Sequence, residues 1–137
     1  MTIRDIMSPT VETATPDETV LDARNRFRQG GFRHLPIVDG ERLLGVVSDR
    51  DVLRAAGPSL GLTEYDEDAG PNVDRTLREI MSTYAITADL TMSVQEAADT
   101  MLRHDVSALP VIDEGRLVGI VTTADVLRMA AGLTGNA

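Results

Sequence analysis

A chain of 137 residues that is 42% hydrophobic and 26% charged has the composition of a folded domain, long enough for one core or two small ones. A formal net charge of −9 opposes duplex binding, and two Phe, two Tyr and no Trp leave no stacking platform for single strands, so nucleic acid is not expected as a partner. The absence of cysteine excludes disulfides, thiolate nucleophiles and cysteine metal sites, and fits a reducing compartment.

The opening "MTIRDIMSP" has no apolar run of signal length, and no stretch approaches the ~20 apolar residues of a membrane helix. A cytoplasmic protein without a membrane partner is the expectation. Ile3, Ile6 and Met7 form a short amphipathic segment that stops before Pro9. An extended piece near Val11–Ala14 follows. The first long helix is predicted to start at Thr19, an N-cap with Asp22 in capping-box spacing, although Thr15 to Glu18 offers a rival cap. Val20, Ala23 and Phe27 make its apolar face, and Gly30-Gly31 ends it. Strands are predicted at Leu35–Asp39 and Leu43–Ser48 around the hairpin residues Asp39-Gly40-Glu41. A helix then carries Val52, Leu53 and Ala56 on one side.

Residues 57–73 are rich in Gly, Pro and acid (Glu64, Asp66, Glu67, Asp68) and read as a solvated linker. A divalent-cation loop is the sharper alternative, but EF-hand spacing is absent.

After the linker the chain repeats itself at an offset of 74 residues. "IRDIMSP" at 3–9 answers "LREIMST" at 77–83, and "LPIVDGERLLGVVSDRDVLR" at 35–54 answers "LPVIDEGRLVGIVTTADVLR" at 109–128, with 11 of these 20 positions identical. A duplicated unit explains this register. The second copy predicts a lead-in at Leu77, Ile80 and Met81, an extended piece near Ala85–Ala88, a helix capped by Ser93 with Glu96, and strands at Leu109–Asp113 and Leu117–Thr122. By repeat the chain divides into units 1–56 and 74–133 with a tail at 134–137.

Both copies keep a hydroxyl residue at a strand end and an aspartate three residues on: Ser48 with Asp51, Thr122 with Asp125. This spacing is that of a capping box, and equally that of a carboxylate presented at a helix start. Catalysis finds little support. His34 and His104 have no HExxH spacing and no flanking carboxylate constellation, and "RQGGFR" lacks the strand that a phosphate loop requires before it.

The paired pattern h-x-x-L-P-h-h-D … L-h-G-h-h-[ST]-x-x-D-h-L resembles cystathionine-beta-synthase (CBS) domains in tandem, the Bateman module, of the small stand-alone bacterial and archaeal type. The resemblance covers nearly the whole chain. It implies an α+β fold of two pseudo-twofold-related β-α-β-β-α units packed through their sheets. It also implies a regulatory adenosine nucleotide in the clefts. The helices carry more apolar surface than one pair of units covers, so a homodimer is expected, and the residues suggest no catalytic cofactor and no metal. The carboxylates of Asp51 and Asp125 would accept a ribose diol, and Ser48 and Thr122 would serve phosphate or ribose oxygens. Arg33, aided by Arg50 and beside His34, would meet phosphate; Ser107, Ala124 and Ala108 stand at those places in the second copy. Thr13 and Thr87 would line the base pocket, near the Leu-Pro dipeptides that hold Pro36 and Pro110. The expected function is a non-catalytic sensor that signals through its homodimer to a separate, unknown protein. A dimerisation scaffold with vestigial clefts is the main alternative, and an enzyme using Asp51 as a base is a lesser one.

Overall fold

The computed structural model describes residues 1–56, 74–83 and 85–133. The acidic linker 57–73, with its reading as a cation loop, and the tail 134–137 lie outside the described residues. In chain order the elements are α1 (Ile3–Ile6), α2 (Val20–Gly30), β1 (His34–Asp39), β2 (Arg42–Ser48), α3 (Asp49–Ala56), α4 (Leu77–Ile80), α5 (Val94–His104), β3 (Ala108–Asp113), β4 (Arg116–Thr122) and α6 (Thr123–Ala130). The class is α+β, with two two-stranded antiparallel sheets, β1-β2 and β3-β4.

The long helices begin and end where local chemistry dictates. At α2 the Thr19 N–H donates to Asp22 at 2.9 Å while the Asp22 N–H donates to Thr19 Oγ1 at 3.2 Å. Ser93 and Glu96 repeat this at α5. The rival cap forms a separate turn, its Thr15 N–H donating to Glu18 at 2.8 Å. Gly31 closes α2 at φ 70°, a left-handed position that costs glycine nothing, whereas Asp105 closes α5 at φ 52°.

Both hairpins carry an irregularity at the same repeat position, between Ile37 and Val38 and between Val111 and Ile112. The extended piece before each long helix reaches its sheet at one residue only, as parallel bridges Ala14↔Ile37 and Ala88↔Val111. The first β of each β-α-β-β-α plan is therefore a single rung.

Packing divides the chain differently from the repeat. One compact unit is Glu12–Tyr84; the other joins Met1–Val11 to Ala85–Ala137. Each lead-in helix thus belongs to the unit built around the other copy's strands. Leu77 is buried in the β1–β2 unit with Val20, Leu35, Ile37, Val47 and Val52. Ile3 and Ile6 are buried in the β3–β4 unit with Val94, Met101, Leu109, Val111 and Val121. After α4, Ser82 exchanges backbone bonds with Val46 at 3.0 and 3.1 Å; after α1, Ser8 does so with Ile120 at 2.9 and 3.0 Å.

Gly45 and Gly119 permit this close crossing. A Cβ at Gly45 would lie 2.7 Å from the Ser82 carbonyl oxygen and 2.9 Å from Met81 Sδ. At Gly119 it would lie 2.7 Å from Met7 Sδ and 2.9 Å from the Ser8 carbonyl oxygen. A strand glycine packs nothing itself, and here it leaves room for a neighbouring backbone.

Candidate functional site

The strand-to-helix junctions gather most of the polar residues singled out in the sequence. In the β1–β2 unit, antiparallel pairing sets His34 opposite Ser48, and the Asp49 N–H donates to the Arg33 carbonyl at 3.0 Å. Residues 33 and 34 therefore lie beside the start of α3 although some fifteen residues of chain intervene. The Ser48 N–H donates to Asp51 Oδ2 at 2.8 Å, and the Asp51 N–H donates back to Ser48 Oγ at 3.2 Å. The capping box is thus real. It occupies one oxygen of the carboxylate and holds its rotamer, contributing about 1 kcal/mol to the helix start. It leaves Oδ1, which stands 3.9 Å from Arg54, and the Asp51 side chain is 32% exposed. Capping and ligand acceptance are compatible, because a carboxylate has about four acceptor positions and the box uses one.

Arg33 and Arg50 are exposed at this junction; His34, Ser48 and Asp51 are half-buried. Burial holds the His34 imidazole below its ordinary pKa of 6.5, with Arg33 acting in the same direction and Asp49 and Asp51 opposing. These couplings place Arg33, Asp49 and Asp51 within electrostatic reach of one ring. The sequence reading did not single out Asp49; its partner in the repeat is Thr123.

In the β3–β4 unit the backbone is the same and the chemistry differs. The Thr123 N–H donates to the Ser107 carbonyl at 3.0 Å, and Ala108 faces Thr122. The Thr122 N–H donates to Asp125 Oδ2 at 2.8 Å, Thr122 Oγ1 also donates to Oδ2 at 3.1 Å, and the Asp125 N–H returns to Oγ1 at 3.4 Å. Asp125 Oδ1 accepts from Arg128 at 2.8 Å, and this aspartate side chain is 11% exposed. Arg54 and Arg128 were also passed over in the sequence, although their position three residues after each aspartate is visible in both "DVLR" strings.

The remaining candidates are spread along the first strands. Thr13 is half-buried and Thr87 exposed, each one residue before its single-rung bridge. Pro36 and Pro110 are fully buried, and their carbonyls accept the Ala14 and Ala88 N–H groups at 3.0 and 2.9 Å. The prolines thus hold the bridge that sets the threonines beside the sheet. Among the described residues no group of His, Cys, Asp and Glu is placed to hold a metal ion, and no helix is long and apolar enough to cross a membrane.

Known proteins share this fold. The family model described as the CBS domain matches residues 3–57 and 77–132. Hypoxic response protein 1 of Mycobacterium tuberculosis is 37% identical over 128 residues, covering 93% of this chain and 83% of that protein. The CBS domain pair of protein MJ0100, solved in complex with 5'-methylthioadenosine and S-adenosyl-L-methionine, superposes with a TM-score of 0.81 at 29% identity, covering 96% of this chain and 97% of that one. CBSX2 in complex with AMP gives a TM-score of 0.80 at 26% identity, covering 96% and 97%.

Proposed function

This chain belongs to the CBS-domain family, and on that premise we propose that it is a non-catalytic regulatory module that binds an adenine nucleotide at the junction of β2 and α3. One observation carries the reading: pairing of β1 with β2 sets Arg33 and His34 beside the start of α3, the helix that bears Arg50 and Asp51, and the capping box leaves Asp51 Oδ1 to accept a ribose diol. The half-buried carboxylate suits two hydroxyl donors, a charge-assisted pair, and the two exposed guanidinium groups suit a phosphate. Similar folds in the MJ0100 CBS pair in complex with 5'-methylthioadenosine and S-adenosyl-L-methionine, and in CBSX2 in complex with AMP, support the choice of adenine.

The sensor acts as a homodimer. Leu53 and Leu127, exposed at the same repeat position on α3 and α6, offer apolar surface on both halves. The signal passes by shifting the population of states seen by a separate protein.

The test is calorimetry with AMP and adenosine on wild type, Asp51→Ala and Arg33→Ser. Asp51→Ala should weaken both ligands. Arg33→Ser should cost AMP about ten- to a hundredfold, roughly 1.5–3 kcal/mol, and leave adenosine within about twofold. If Arg33→Ser loses adenosine as strongly as AMP, Arg33 holds the junction together instead of meeting phosphate. If AMP, ADP, ATP, S-adenosylmethionine and NADH all fail to stabilise the wild type against heat, the module is a scaffold. Light scattering at micromolar concentration that gives the mass of one chain would remove the homodimer.

A further inference from the structure

The two aspartates open the same DVLR string and differ in occupancy. Each is followed three residues later by an arginine, Arg54 or Arg128. Arg54 stands 3.9 Å from Asp51 and is mostly in water, whereas Arg128 donates to Asp125 Oδ1 at 2.8 Å. With Oδ2 accepting from both the N–H and the hydroxyl of Thr122, the Asp125 carboxylate has three donors and little exposure. We propose that Arg128 closes the second junction, so that the chain takes one adenine nucleotide, at Asp51; this rests on the nucleotide reading above.

The physical case has two parts. A ribose diol entering at Asp125 would have to displace a guanidinium that gives a mostly buried carboxylate both a hydrogen bond and an opposite charge, and hydroxyl donors supply the bond without the charge. The charge around each aspartate also differs. The first junction carries Arg33 and Arg50 beside Asp49 and Asp51, so the charges there balance without Arg54. Ser107 and Ala124 replace those cations in the second copy, so Arg128 is the arginine its junction supplies to the carboxylate. The same replacements determine what an opened second junction would accept. Without Arg33 and Arg50 equivalents it gains nothing from a phosphate and takes an uncharged nucleoside.

Calorimetric stoichiometry with adenosine and AMP as probes tests this on the full chain, on Arg128→Ala and on Arg128→Gln, which keeps length and loses charge. Wild type should bind one of either probe per chain. Both variants should bind two adenosines per chain, and the added site should hold AMP within about twofold of adenosine. Two equivalent sites in wild type, or variants that remain at one adenosine per chain, overturn the role of Arg128. An added site that prefers AMP by tenfold or more overturns the ligand class. Failure of both probes on wild type and variants removes the nucleotide reading itself, a result distinct from the other two.

Discussion

Helices α3 and α6 are repeats of one another, and they are held with unequal strength. On α3, Val52 and Ala55 are buried, with Val52 part of the core that includes Leu35, Ile37 and Val47. On α6 no residue is fully buried; Val126 and Met129 only lean on the core, and Leu127 is exposed. The polar ends invert this order. Asp51 at the start of the well-buried helix keeps an open oxygen, while Asp125 at the start of the loosely packed one has both oxygens engaged. The β1–β2 unit thus draws its order at this helix from apolar burial and leaves its charged groups available. The β3–β4 unit ties the same helix down with polar bonds. A site that must bind something else is better placed in the first.

The largest expected difference lies at the crossing of the lead-in segments. Gly45→Ala sets a Cβ against a backbone oxygen at 2.7 Å, which cannot turn aside. At Gly119 the nearest atom is the tip of Met7, which can, with the Ser8 oxygen slightly farther off. Overpacking should cost about 2–3 kcal/mol at Gly45 and about 1–2 at Gly119, read from urea unfolding midpoints. Equal losses would mean that the two crossings yield alike.

Truncating the last helices is the next test. Val52→Ala removes fully buried methyl groups and should cost about 2 kcal/mol, and Val126→Ala, half-covered, about 1. A larger loss for Val126→Ala would reverse the ranking of α3 over α6.

The helix ends separate the units by less. Gly31→Ala forces a Cβ into a left-handed position and should cost about 1 kcal/mol; Asp105→Gly relieves the corresponding strain and should gain about 0.5. Thermal midpoints that move in the same direction for both would contradict this.

The smallest effect concerns His34, whose counterpart is Ala108. Its folded pKa lies below 6.5 chiefly through burial, so in the window between the two values the unfolded chain holds a proton that the folded chain does not. Stability should therefore fall as pH drops through 6.5, and the loss should be complete below the folded pKa. Subtracting the pH profile of His34→Ala from that of wild type should isolate this slope. A difference that is flat, or that rises on acidification, would show that Asp49 and Asp51 outweigh burial.

Sequence alone determined whatever is decided within a few residues. Thr19 with Asp22 and Ser93 with Glu96 start their helices through bonds spanning three residues, Gly31 ends α2 through its own freedom, and the hairpins follow from alternation and their turns. The carboxylates at Asp51 and Asp125 were legible in the same way, and the family resemblance added what they would hold. Nothing local could say where the lead-in segments go. Ile3, Ile6 and Met7 carry nearly the same apolar face as Leu77, Ile80 and Met81, so either would suit either pair of strands, and only packing of the whole chain placed each with the other copy's strands. The two arginines of "DVLR" show the same limit at the scale of one side chain. Arg54 and Arg128 occupy identical strings; Asp49 and Arg50 against Thr123 and Ala124 are a local difference, but Arg33 and His34 reach the first aspartate's junction only through strand pairing. Coulomb interactions depend on distance in space, so the part that Arg33 and His34 play at Asp51 was decided by tertiary structure.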